Sequence, residues 1–219
     1  MSDTNAKPTF FPRPDDASRP PHVVPPGTHA LGMWLFLAAL AMLFIGGMLA
    51  YIIVRITGTA SRTNPFTGEI IPATAPPLHT IEVPLVLWLS TAAILLSSFS
   101  IHRAVENVIN ERQDRFRQSL IVTLLLAVPF FLAQGAGLAT MLGTAAQGGS
   151  ALQYAIFFLI IVHGLHVVGG LVPLIVVTRN AHASRYDHEY HGPVRRVAMY
   201  WHFLDAVWLL MFACFLVLG

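Results

Sequence analysis

The sequence predicts an all-α polytopic membrane protein, a bundle of five transmembrane helices. Three observations carry this. Apolar residues make up 55% of the 219 residues and charged residues only 11%, about half the charged share of a soluble domain. The apolar residues are gathered into five stretches of 19 to 28 residues, and about 20 suffice to take a helix across a bilayer core. None of these stretches alternates polar with apolar residues as barrel strands must, and lipid accepts only helices or closed barrels. The same composition excludes a water-soluble enzyme. Thirteen basic against eleven acidic residues leave a net charge of +2, too little for a nucleic-acid partner. One cysteine, Cys214, excludes a disulfide framework, a thiolate zinc site or an iron–sulfur cluster within the chain.

Residues 1–29 hold seven of the fifteen prolines and no apolar periodicity, so they read as a disordered arm on the cytoplasmic side. No apolar region follows a basic start there, so the arm is not a secretory signal. The transmembrane domain is residues 30–219. Its first span is Ala30–Val54, 25 residues without a charge. The second, Val83–Ile101, is the shortest at 19, and the charged segment 102–118 is expected to prolong it as a helix into water. Ser119–Leu142 and Ala151–Thr178, 24 and 28 residues, are joined by a short chargeless loop and form a hairpin. The fifth, Ala198–Gly219, has 22 residues and one carboxylate, Asp205. Pro129 should bend the third helix and Pro173 the fourth. Gly46 with Ala50, Gly135 with Gly137, and Gly164, Gly169 and Gly170 mark places where helices could approach closely.

Five spans put the arm, segment 102–118 and segment 179–197 on one side. That side carries eleven of the thirteen Lys and Arg residues; Arg55 and Arg62 alone lie opposite. Basic loops stay cytoplasmic, so the expected location is a bacterial inner membrane with the N-terminus inside and the C-terminus outside.

Four side chains inside the spans carry an imidazole or a carboxyl group: His163, His166, His202 and Asp205. Such groups are costly in lipid and face a partner or a cavity. His163 and His166 share one face of the fourth helix, and His202 and Asp205 one face of the fifth. Haem or metal ligation needs histidines at matched depth on facing helices, which a pair on one helix does not supply. A proton relay would need a further carboxylate in the outer half. The packing reading remains: a structural polar cluster hydrogen-bonded between helices four and five. The serines and Thr91 of 90–100 are expected to bond back to backbone carbonyls, and no base stands near them to make a nucleophile. The residues therefore suggest no catalytic, cofactor or metal site.

Two strings carry a resemblance. Tyr200-Trp201-His202-Phe203-Leu204-Asp205-Ala206-Val207-Trp208 resembles the motif opening the last helix of subunit III of haem–copper terminal oxidases. His163-Gly164-Leu165-His166-Val167-Val168-Gly169 resembles that family's string in the preceding helix. Gly32–Leu37 and the segment Pro84 to Ser98 agree more weakly. The likeness runs over residues 29–219 and is to the short five-helix bacterial form. It implies a non-catalytic structural subunit of an enzyme that reduces oxygen to water and moves protons. Its partners would be oxidase subunits I and II, with haem and copper in those partners and phospholipid bound to this chain. It also implies that Gly164, Tyr200, Trp201 and Trp208 serve the family motif and the interface. The family's buried carboxylate in the first helix falls at Leu40, and the acidic residue after Gln134 at Gly137, so roles tied to those acids do not carry over. The alternative is an accessory protein of the same fold associated with nitric oxide reductase. An independent transporter is disfavoured by the absence of an inverted repeat.

Overall fold

The computed structural model describes residues 28–58, 62–63, 66–68, 70–72, 85–145, 151–184, 186 and 191–218. The expected disordered arm falls almost wholly outside them. Five helices dominate: α1 Thr28–Gly58, α2 Leu85–Ile109, α3 Gln113–Ala145, α4 Ala151–His182 and α5 Gly192–Leu218. Between α1 and α2 lies a two-residue antiparallel pairing, β1 Arg62–Thr63 with β2 Ile70–Ile71, in register Arg62↔Ile71. Gly68, at φ 69°, takes the left-handed turn that only glycine adopts without strain. The protein is an all-α, multi-pass membrane bundle.

Four helices, α1, α3, α4 and α5, are long and apolar enough to cross a bilayer by composition alone. The exception, α2, carries five hydroxyl side chains between Ser90 and Ser100. It lies against α3 as a hairpin closed by a turn at 110–112, where Glu111 has φ 57°. The amides of Asn110, Glu111 and Arg112 bond back to the last turn of α2, which satisfies three of the carbonyls at its end. The helical continuation expected in segment 102–118 is present: α2 runs to Ile109 and α3 starts at Gln113. The helices likewise extend past spans three, four and five on this side. Val108, Phe116, Ala181, Tyr186 and Val194 are buried together there, so the ends pack instead of dissolving into loops. Arg117 of α3 donates from Nε to the Ala181 carbonyl at 3.1 Å and from Nη2 to Ser184 Oγ at 2.8 Å. A cation thus satisfies one carbonyl at the C-terminus of α4.

Helix direction alternates. Ring contacts pair Phe36 with Tyr200, Phe44 with Phe203 and Tyr51 with Phe215, so α1 and α5 run parallel. Phe44 against His163 and Gly47 against Leu159 make α1 and α4 antiparallel. The central helix is α5, which packs on α1, α2 and α4. It contributes to both apolar cores: one with α2, α3 and α4 around Trp201 and Trp208, the other with α1 and α4 around Met211 and Tyr51. At the opposite end Arg55 is fully buried and donates from Nε to the Leu218 carbonyl.

Of the glycines expected at close approaches, one proves decisive. A Cβ on Gly170 would lie 2.6 Å from Tyr200 Cε1 and 3.1 Å from Leu204 Cδ1. Gly47, not singled out from sequence, would meet Leu159 Cδ2 at 2.8 Å. Gly46, Gly135, Gly137 and Gly164 have nothing within 4 Å of the corresponding position, so they do not mark helix contacts. α3 and α4 remain helical through Pro129 and Pro173.

Candidate functional site

The chemistry-bearing residues converge on α5, and the partner that satisfies most of them is α2. Trp201 and Trp208 are seven apart, two turns along one face of α5, and both are 1% exposed. Trp201 Nε1 donates to Ser97 Oγ at 3.1 Å, and Ser97 Oγ donates in turn to the Thr123 carbonyl of α3 at 3.2 Å. Trp208 Nε1 donates to Thr91 Oγ1 at 3.1 Å, and Thr91 Oγ1 to the Leu87 carbonyl at 2.7 Å. The hydroxyl acts as donor and acceptor at once. Each indole therefore binds α5 to α2 without leaving a polar atom bare in lipid. Ser98 Oγ and His202 Nδ1 add a third link at 2.7 Å. Between α2 and α3, Ser100 Oγ donates to the Ser119 carbonyl at 2.8 Å and Gln134 Nε2 to Ser90 Oγ at 3.4 Å.

The four residues expected to form one polar cluster are not joined to one another by hydrogen bonds. His163 is 3% exposed in an aromatic box of Phe44, Phe130 and Trp208, with ring centroids 5.7 to 6.4 Å away, and its Nδ1 has no partner. His166 bonds from Nδ1 to its own helix at the Val162 carbonyl, 2.6 Å. His202 turns to α2. Asp205 is 4% exposed with both oxygens outside hydrogen-bond geometry; the Ser98 hydroxyl is close enough to interact with it. The physical reason is competition. A helical histidine reaches a carbonyl one turn back at little conformational cost, and a serine on the adjacent helix outcompetes a carboxylate on its own.

Tyr200 and Gly164 complete the expected set. Tyr200 Oη donates to the His166 carbonyl at 2.9 Å, and its ring stacks on Phe36 at 5.9 Å, so it clasps α1, α4 and α5. Gly164 borders an apolar cavity of about 200 Å³ between α3 and α4, lined also by Phe130, Gln134, Gly135 and His163. Sequence reasoning missed the α2 partners of Trp201, His202 and Trp208, which are Ser97, Ser98 and Thr91. The two indole acceptors, Thr91 and Ser97, are six residues apart against seven between Trp201 and Trp208, so spacing alone did not single them out.

Among the described residues, no three His, Cys, Asp or Glu side chains come together as metal ligands. His163 lies among rings at the edge of the α3–α4 cavity with its Nδ1 unpartnered, and His166 is bonded through Nδ1 to its own backbone. Two grooves flank the start of α1. One, about 750 Å³, has walls of Phe36, Val172 and Val176 with Arg196 and Tyr200. The other, about 900 Å³, is lined by Trp34, Leu37, Arg195, Arg196 and His202.

A family model described as cytochrome c oxidase subunit III matches residues 22–219. Among curated relatives, human "Cytochrome c oxidase subunit 3" is 30% identical over 195 residues, 87% of this chain and 70% of the relative. The protein of the same name from Balaenoptera musculus is 32% identical over 184 residues, 83% of this chain and 66% of its own length. That from Mus musculus is 29% identical over 183 residues, with 83% and 66% covered. The tryptophan-bearing helix and the histidine string that build the α2–α4–α5 packing lie within the residues that the family model matches, and the chain belongs to the cytochrome c oxidase subunit III family.

Proposed function

We propose that this chain is a non-catalytic subunit that stabilises an oxidase complex, packing against subunits I and II, while oxygen reduction and its haem and copper belong to those partners. The observation that carries this reading is the commitment of the motif on α5: both indoles and one imidazole are bonded to hydroxyls of α2, and Tyr200 to α4. Groups engaged in this way hold helices together. The grooves beside α1 add phospholipid to the proposal. Their apolar walls suit acyl chains, and Arg195 and Arg196 at their ends suit an anionic headgroup.

Two expected outcomes follow from this reading. Expressed alone and purified in detergent, the chain should show neither a stoichiometric Soret band nor bound copper, whereas the assembled complex shows haem. A haem or copper content near one per chain would overturn the assignment. The orientation has its own test. The eleven-to-two basic asymmetry places the α2–α3 turn in the cytoplasm. A phosphatase reporter active only outside should work when fused after Gly219 and stay silent when inserted at 110–112. The opposite pattern would reverse the topology.

A further inference from the structure

α3 packs on α4, yet a cavity of about 200 Å³ stays open between them. Its lining includes Gly135 of α3 and Gly164 of α4, small residues on which helices in lipid usually close up. Here a Cβ added to either would meet nothing within 4 Å. Packed interiors hold few voids larger than a water molecule, and an apolar cavity of about 150 Å³ is enough to admit benzene. The inner wall is aromatic. Phe130 and Trp208 are both 1% exposed, with ring centroids 5.2 Å apart and planes at 87°. At the rim stand Phe131, Leu165 and Val168, all exposed on the outside of the bundle, so the mouth opens among acyl chains.

One polar group on this wall is unserved. His163 is 3% exposed, and among the described residues its imidazole makes no hydrogen bond. It lies about 18 Å along α4 from Ala151 at 1.5 Å per residue, deep in hydrocarbon, where a lone polar group is costly. His166, one turn on, settles its own need at the Val162 carbonyl. Water does not suit the cavity, because a buried water needs two to four polar partners. Besides His163 the lining offers the Gln134 carboxamide, which donates to Ser90, and the Trp208 indole, which donates to Thr91. A phospholipid does not suit it either. Its polar atoms stay at the membrane surface, and its acyl chains give an imidazole nothing. The occupant that answers every wall is a flat ring with one hydroxyl at this depth and an apolar tail at the mouth.

We infer that the α3–α4 cavity binds the ring of a membrane-dissolved phenol, the class that includes quinols, with its hydroxyl on His163 and its hydrocarbon tail left in the lipid. A neutral imidazole keeps one acceptor nitrogen in either tautomer, so a hydroxyl donor is matched whichever nitrogen holds the proton. Phe130 and Trp208 meet the ring by the edge and offset contacts that aromatic pairs prefer. The volume takes one six-membered ring with small substituents and shuts out a fused-ring sterol. The glycines at 135 and 164 are what keep it open. This site belongs to the chain itself and does not rest on the proposed role in the complex.

The test is tryptophan fluorescence of the full chain in lipid nanodiscs. The probes are a brominated pentylphenol, whose bromine quenches an indole on contact, and the same molecule without its hydroxyl, compared at equal mole fraction in the lipid. Quenching that is lost in Trp208→Phe is assigned to this indole, which lines the cavity. The parent should show saturable quenching, about tenfold tighter for the phenol, as one hydrogen bond to an otherwise unpaired group provides. His163→Leu should bring the phenol down to the level of its analogue. Gly164→Leu, whose side chain fills the space, should abolish saturable quenching by both, while Gly46→Leu on α1 should match the parent. If His163→Leu does not insert, the two probes in the parent and the Gly164→Leu variant still decide. Quenching that only rises in proportion to the probe, as from bulk lipid, would overturn the inference. So would equal affinity for the two probes in the parent, a preference that survives His163→Leu, or saturable binding in Gly164→Leu.

Discussion

Gly170→Ala should release the last helix from the fourth, although it adds a single methyl group. The new Cβ would sit 2.6 Å from Tyr200 Cε1 and 3.0 Å from Cδ1, well inside contact distance. Tyr200 cannot swing away cheaply, because its hydroxyl is bonded to the His166 carbonyl at 2.9 Å and its ring is stacked on Phe36. Leu204, 3.1 Å off on the same helix, closes the other direction. Overpacking a dense site of this kind costs about 1–3 kcal/mol. Gly46→Ala and Gly164→Ala are the matched controls. Nothing lies within 4 Å of either new methyl, and alanine is the better helix former by about 1 kcal/mol. Retention of the chain in the detergent-solubilised complex should fall several-fold for Gly170→Ala and hold or rise for the other two. Equal behaviour of all three would mean that α4 and α5 do not meet through Gly170.

Trp201→Ala should be more damaging still. The side chain is 1% exposed and among the largest in the bundle, so its removal opens a cavity between α2, α3 and α5. Large-to-small changes of this size cost about 3–5 kcal/mol in well-packed cores. Trp201→Phe separates packing from hydrogen bonding. The ring remains but the donor to Ser97 is gone, and one interhelical hydrogen bond in lipid is worth about 0.6 kcal/mol on average. Ser97 keeps its bond to the Thr123 carbonyl, so the loss stays near that figure. The expected order of thermal stability is parent, then Trp201→Phe slightly lower, then Trp201→Ala far lower, with subunit loss following the same order. A phenylalanine variant as unstable as the alanine one would assign the energy to the hydrogen bond and not to the volume.

Much of the bundle was legible because lipid leaves few choices. Five apolar stretches of spanning length had to be helices, and the charges mixed into 102–118 foretold that α2 would run on past the membrane. The pairing of Arg62–Thr63 with Ile70–Ile71 was not legible, since two residues are too few to show a period. The polar cluster was half legible. Sequence places His202 and Asp205 on one face, but a helical face does not choose a partner. His202 chose Ser98, His166 its own backbone, and His163 a set of rings whose members come from α1, α3 and α5. In the sequence Trp201 and Trp208 read as parts of a resemblance. Their depth and their acceptors on α2 depend on which helices become neighbours, and that is a tertiary fact. Arg55 and Arg117 counted only toward orientation in the sequence. In the structure each also closes a helix C-terminus, α5 and α4 respectively.

The central claim is that this chain holds an oxidase together and performs none of its chemistry. The direct measurement is the initial oxygen-consumption rate per haem of the purified complex, before and after the chain is stripped away through Trp201→Ala. The expected result is an initial rate near that of the intact complex, followed by faster decay during turnover. An immediate loss of the initial rate, with haem content unchanged and activity regained when the parent chain is added back, would contradict it.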